Sequence, residues 1–282
     1  MKHIKEKGAE LVFLLSALAS ILAVAMICIF LFANGVPAIG KIGIFKFLAG
    51  ETWRPGNDIY GILPMILGSI YVTAGAILVG VPIGILTAVF MSKFCPKWLY
   101  QVIKPAIDLL AGIPSVVYGF FGLVVIVPVM SGFFGGSGKS IATASILLGI
   151  MILPTIIGVS ESAIRAVPAS YYEGALALGA SHGRSVFFAT LPAAKSGILA
   201  GVILGVGRAI GETMAVIMIA GNQPRMPQGI FKGVRTLTAN IVLEMGYATD
   251  LHREALIATA VVLFVFILLI NLSFSALNRR AE

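Results

Sequence analysis

Residues 195–222 read KSGILAGVILGVGRAIGETMAVIMIAGN, and between the first and last of these the only charges are Arg208 and Glu212. About 20 mostly apolar residues are enough to cross a bilayer, so this stretch is long enough to be a membrane span. Working outward, five further segments meet the same length rule. The full set is about 11–33, 62–92, 105–130, 141–164, 196–220 and 255–277. Composition agrees. Of 282 residues, 59% are hydrophobic and 11% charged, whereas a soluble domain carries roughly 25% charged residues. A soluble enzyme, a nucleic-acid-binding domain and a disordered chain are excluded together. The net charge of +8 is dispersed between apolar runs and forms no basic face. The reading is an all-α membrane protein of six transmembrane helices, a single domain over 1–282.

The first span follows a charged stretch, 1–10. Its apolar part is too long for a signal peptide, and no small-residue cleavage site ends it, so it reads as a retained helix. Six spans put both termini on one side. With both inside, the inner segments carry Lys2, Lys5, Lys7, Lys93, Lys97, Lys104, Arg165, Arg184, Lys195, Arg279 and Arg280. The outer segments carry Lys41, Lys46, Arg54, Lys139, Arg225, Lys232, Arg235 and Arg253. That modest excess favours N-in/C-in. Trp53 with Tyr60, and Trp98 with Tyr100, fall at span ends, where amphipathic rings favour the headgroup layer. Pro64, Pro82, Pro114, Pro128 and Pro154 lie within the spans, either as packing kinks or as breaks around a cavity.

The segment SGFFGGSGKS at 131–140 misses the phosphate-cradling loop pattern, which needs Gly where Phe133 stands. It reads as a flexible connection, and the chain is expected to carry no ATPase, no cofactor and no metal of its own. His3, His182 and His252 are far apart, and Cys28 and Cys95 make neither a disulfide framework nor a metal cluster.

The inner connection, 165–195, is the most polar one on its side. Val167-Pro168 stops the preceding helix, and Ser170 is placed to cap a new one with Glu173 at its N3 position. Ala175, Leu176, Ala177, Leu178 and Ala180 favour helix, and Gly179 interrupts it. A short helix with small side chains on a membrane face suits docking into a groove of another protein, although a plain connector has the same composition. Glu161 with Arg165, and Lys104 with Asp108, are i,i+4 pairs that brace this end.

In the fifth span, Gly197, Gly201 and Gly205 form a GxxxGxxxG run that allows close backbone approach. At about 100° per residue, these glycines, Gly211 and Glu212 all fall within about 60° of Arg208. Arg208 lies roughly 20 Å from Lys195 along the helix, near mid-bilayer. A charge there costs at least about 2.5 kcal/mol and faces a bundle interior or a wet cavity. Two readings stay open: an Arg208–Glu212 ion pair that pins helices, and an anion-contacting guanidinium in a translocation path that Glu212 orients. Ser115 and Tyr118 offer hydroxyls to an anion if Pro114 opens their helix; otherwise they bond back to it. An intramembrane enzyme would need paired acid and base groups at one depth, and only Glu212 is a mid-membrane carboxylate. A stand-alone channel needs no docking helix.

Glu173-Gly174-Ala175-x3-Gly179-Ala180-x10-Leu191-Pro192 resembles the EAA loop of ABC-importer permeases, E-A-A-x3-G-x9-I-x-L-P, with Gly174 replacing the usual Ala. GIPSVVYG at 112–119, GRAIGETMAV at 207–216 and VRTLTANI at 234–241 resemble the phosphate-importer permeases of the PstC type. The resemblance implies a type I ABC-importer permease architecture with the 165–195 loop cytoplasmic, coupling through the 170–181 helix. It also implies a heterodimer with a PstA-type permease, two PstB-type ATPase subunits that bind ATP and Mg, and a PstS-type phosphate-binding protein outside. The loaded binding protein would meet the outer segments bearing Arg225, Lys232 and Arg235. The expected setting is the plasma (inner) membrane of a bacterium or archaeon. A sulfate, molybdate or phosphonate importer with the same loop is the alternative.

Overall fold

The computed structural model describes residues 2–279; Arg280, counted above among the inner charges, lies outside the described residues. Helix α1 (Lys2–Ile42) runs well past the end expected at 33. Pro37 lies inside it without stopping it. Its last turns are held by α14 (Asp250–Arg279), where a Cβ at Gly35 would come within 2.5 Å of Val261 Cγ2 and Ala38 is fully buried. Earlier, the apolar side chains of α1 are exposed, as lipid contact requires. After a short α2 (Ile44–Ala49), β1 (Trp53–Arg54) pairs antiparallel with β2 (Ile59–Tyr60), a small departure from all-α structure. Trp53 and Tyr60 are therefore not headgroup residues. The hairpin folds over the end of the bundle and buries both rings against Phe47, Met65 and Leu256.

Helix α3 (Leu63–Val89) begins with Pro64 in its first turn, continues through Pro82 and ends in a π-helical turn, Phe90–Phe94. The helix expected over 105–130 is overturned. Instead α4 (Lys97–Gly112) ends at Ile113-Pro114, and the span proper is α5 (Ser115–Phe121), a π turn (Gly122–Ile126) and α6 (Val127–Phe134). The residue before a proline is pushed out of the helical region, and Ile113 is extended at φ −70°, ψ 126°. Pro128 follows the π turn directly and does not stop the helix, which runs on to Phe134.

Helix α7 (Ile141–Ala166) starts at Ser140, whose hydroxyl accepts from the Thr143 N–H at 3.2 Å, and carries Pro154 without a break. Then come α8 (Ala169–Ala177), α9 (His182–Ser185), a third π turn (Val186–Thr190), α10 (Leu191–Ala193) and α11 (Lys195–Gly211), the last bent by 70° from the segment before it. The fifth span does not continue to 220 as one helix: it breaks at Glu212-Thr213 and resumes as α12 (Met214–Ile219). A loop returns to α13 (Leu237–Glu244), and α14 closes the fold. Five helices are long and apolar enough to cross a membrane, and a sixth if the bent pair is one span. Helix α7 is central, with α3 and α11 along it, and Leu147, Leu148, Met151, Ile152 and Ile156 form its core face.

Candidate functional site

The glycine row of α11 lies along α7. A Cβ at Gly205 would come 2.8 Å from Ile156 Cγ1, one at Gly201 3.1 Å from Ser160 Oγ, and one at Gly197 would meet Ala163. Without a hydrophobic drive between helices in lipid, such close packing supplies the attraction, and a larger side chain at Gly205 would push the two helices apart.

This packing fixes Arg208, three residues beyond Gly205. Its Nη1 donates to Thr155 Oγ1 of α7 at 3.4 Å, a long bond. The expected pair with Glu212 is absent: no ion pair within 4.0 Å involves Arg208 among the described residues. The cause is local. An i,i+4 pair needs an unbroken helix, and Glu212 is extended at φ −68°, ψ 130°. Its carboxylate turns forward and accepts from the Thr213 N–H at 3.1 Å and the Ala215 N–H at 3.2 Å, satisfying donors at the start of α12. The backbone carbonyl of Glu212 accepts from Thr238 Oγ1 at 3.1 Å, so the first turn of α13 sits against the break. Arg208 is thus half-buried beside a gap in the backbone of a span, with most of its guanidinium donors uncommitted.

Pro114 does open the third span, but Tyr118 bonds back. Its hydroxyl donates to the Leu110 carbonyl at 2.9 Å, bridging the break, and the ring is buried in the central core. Ser115 is half-buried at the start of α5 and makes no side-chain hydrogen bond among the described residues.

The 165–195 segment differs from expectation at its start and explains its spacing at its end. Pro168, not Ser170, precedes α8, and no side-chain cap forms, because the helix begins at Ala169 and the proline before it has no side-chain oxygen to accept from the first N–H groups. Glu173 and Gly174 are exposed on α8, with Ala175 half-buried. At the other end Gly179 is left-handed (φ 84°). The Gly179 N–H donates to Leu176 O at 2.9 Å and the Ala180 N–H to Ala175 O at 3.1 Å. That pair of bonds is a Schellman ending, which favours glycine there. No residue of α8 is buried, and Leu178 just beyond is 91% exposed. One side is anchored: Tyr172 Oη and His182 Nδ1 are 2.6 Å apart, and the His182 ring meets Phe94 edge-on.

Two charged hubs gather residues far apart along the chain, and the sequence discloses only the two i,i+4 pairs of the first. At the loop end, buried Glu161 accepts from Tyr100 Oη (2.8 Å) and Arg165 Nε (2.8 Å) and lies 3.5 Å from Lys104 Nζ, which also reaches Asp108 at 3.3 Å. Arg165 further donates to Met91 O at 3.0 Å. The two i,i+4 pairs are thus one network joining α3, α4 and α7. At the opposite end, Glu244 accepts from Trp53 Nε1 (2.8 Å) and Arg235 Nη1 (2.5 Å), and His252 Nε2 lies 2.8 Å from it. Burial by itself raises a carboxyl pKa, but the hydrogen bonds from Trp53, Arg235 and His252 outweigh it and hold Glu244 below its ordinary range. Arg235, expected on an outer loop, is committed to this hub and donates also to Asn222 O and Asn240 Oδ1. Arg225 and Lys232 remain exposed.

The family described as "Binding-protein-dependent transport system inner membrane component" matches residues 80–282. The "Probable ABC transporter permease protein YqgH" of Bacillus subtilis (strain 168) is 38% identical over 96% of this chain and 91% of its own. The "Phosphate transport system permease protein PstC" of Mesorhizobium japonicum is 36% identical over 86% of this chain and 81% of its own. Among solved structures, the inward-facing MetNI methionine ABC transporter aligns with a TM-score of 0.65 at 18% identity, covering 82% of this chain and all of that one. That likeness is one of fold, the type I importer permease architecture.

Proposed function

The chain belongs to the family of binding-protein-dependent transport system inner membrane components, and we propose that it is the permease subunit of an ATP-driven phosphate importer. It is a multi-pass protein of the inner membrane and the non-enzymatic part of its transporter. In this reading it forms half of the translocation path with a PstA-type permease. Two PstB-type ATPase subunits bind ATP and Mg and grip the helix from Ala169 to Ala177, with Glu173, Gly174, Ala175, Gly179 and Ala180 at the contact. A PstS-type binding protein delivers phosphate at the other face.

Arg208 carries the reading. A half-buried guanidinium in a broken span, with most donors uncommitted and no carboxylate within 4.0 Å among the described residues, costs too much to keep for packing alone. Its planar fork of donors matches two oxygens of a tetrahedral oxyanion. Relatives named as phosphate transport permeases, aligned over most of the chain, favour phosphate within that class. Glu212 serves the path indirectly, by ending α11 and starting α12 where Arg208 needs space.

The test is uptake of radiolabelled phosphate by proteoliposomes holding this chain with its co-purifying partners. Arg208→Gln should assemble yet lose uptake, and normal uptake by that variant sinks the proposal. The same fork accepts sulfate, molybdate or phosphonate, so competition by each anion decides the substrate. Co-purification of an ATPase, lost on Glu173 or Gly179 substitution, tests the docking helix.

A further inference from the structure

Helix α4 lies outside the spans and is two-sided. Lys97, Gln101, Lys104 and Asp108 recur at helical spacing on one side. On the other, Trp98, Val102 and Leu109 are 68%, 64% and 73% exposed. A helix with a charged face and an exposed apolar stripe rests in a bilayer interface with the stripe in the acyl layer. At its start a cleft of about 280 Å³ is lined by Met91, Lys93, Lys97, Tyr100, Gln101 and Arg165, among others. Neither Lys93 nor Lys97 is within 4.0 Å of a carboxylate among the described residues. Of the nearby acids, Glu161 is buried and taken up by Arg165, Lys104 and Tyr100, and Asp108 is paired with Lys104. The cleft mouth is therefore cationic and opens beside a surface that needs lipid.

We propose that this cleft binds the headgroup of an anionic phospholipid from the leaflet facing the 165–195 loop, with the phosphodiester on Lys93 and Lys97 and the acyl chains along Trp98, Val102 and Leu109. Charge complementarity selects the class. A monoanionic headgroup such as phosphatidylglycerol finds two uncommitted ammonium groups and the Gln101 amide. A choline headgroup brings its own cation against them. Basic pockets beside membrane helices on the cytoplasmic side hold anionic headgroups in this way. The site also touches the coupling machinery. Lys93 Nζ lies 5.8 Å above the Tyr172 ring, and Arg165 is in the last turn of α7 just before the docking helix. A bound lipid would tie the start of α4 to the loop.

The assignment does not depend on the transported anion. Native mass spectrometry of the purified transporter complex, titrated with dioleoyl phosphatidylglycerol, dioleoyl phosphatidylcholine or inorganic phosphate, tests it. Retention of phosphatidylglycerol at least tenfold above phosphatidylcholine is expected, with no displacement by millimolar phosphate. Lys93→Gln and Lys97→Gln should each weaken phosphatidylglycerol binding by about fivefold, as one membrane-facing cation is lost. The double Lys→Arg variant should retain it, and Lys195→Gln, the same charge loss elsewhere, should not weaken it. Equal retention of the two lipids, displacement by phosphate, or an equal loss in Lys195→Gln would each overturn the site. So would cross-linking that finds an acidic protein segment in the cleft instead.

Discussion

Arg208 has a glutamate four residues ahead of it and Arg235 has one nine residues ahead, yet only the second arginine is paired with a carboxylate. Arg235 and Glu244 belong to a loop and the helix after it, which fold back together under the hairpin that carries Trp53, and they meet at 2.5 Å. Arg208 and Glu212 are on opposite sides of a break, and the carboxylate is consumed by two backbone N–H groups of the next helix. One arginine holds the structure together. The other is left with donors to offer.

The largest effect should come from breaking the paired arginine. Arg235→Ala leaves a buried carboxylate with Trp53 and His252 alone, and removing one partner of a buried pair costs about 3–5 kcal/mol. Thermal unfolding of the purified complex should show it as a markedly lower midpoint; an unchanged midpoint would mean the hub contributes little.

Arg208→Gln should do the opposite, leaving the midpoint nearly unchanged while lowering phosphate uptake. The lost charge-assisted hydrogen bonds are worth about 1.5–3 kcal/mol, or roughly ten- to a hundredfold in rate. A variant that unfolds as Arg235→Ala does, yet transports normally when folded, would reverse the two roles.

Acid titrates the Glu244 hub without mutation. The folded-state pKa of Glu244 lies below its ordinary 4.5, so its stabilisation is complete above that value. It is lost as pH falls through the lower folded-state value. The complex should therefore lose stability on acidification below about pH 4.5, and Glu244→Gln should remove that part of the slope. An identical slope in Glu244→Gln would assign the acid sensitivity elsewhere.

Smallest is the cap. Glu212→Ala removes an acceptor from the start of α12 and should cost about 1 kcal/mol, whereas Glu212→Gln keeps an oxygen there and should cost little. If Glu212→Gln instead loses uptake as fully as Arg208→Gln, the carboxylate charge takes part in transport.

The two arginines also mark what the sequence discloses. The apolar helices and the short helix ending at Gly179 are legible because apolar length and the Glu173-to-Gly179 spacing are local properties. Arg208 stands out for the same reason, as a charge inside an apolar run. Glu212 is not its partner, because helical-wheel arithmetic assumes an unbroken helix and α11 ends at Gly211. The break at Glu212 has no proline to announce it, whereas Pro114 does announce the break in the third span. The hubs as wholes are hidden for a different reason. Glu244 gathers residues 53, 235 and 252, and Glu161 gathers residues 100, 104 and 165, so no window along the chain contains either set.

The three π turns have a consequence for register. Each admits one residue beyond the α-helical count, and where helix continues after the turn, as at Gly122–Ile126 and Val186–Thr190, one extra residue advances the later side chains by about 100° around the axis. Downstream of Gly122–Ile126, the face that α6 presents is therefore a quarter-turn away from the one counted forward from Ser115. Deleting one residue there would restore the simple count and re-phase Val127 and Met130, which are buried as the chain stands. The surplus residue acts as a phase setting for the face that α6 turns to the core.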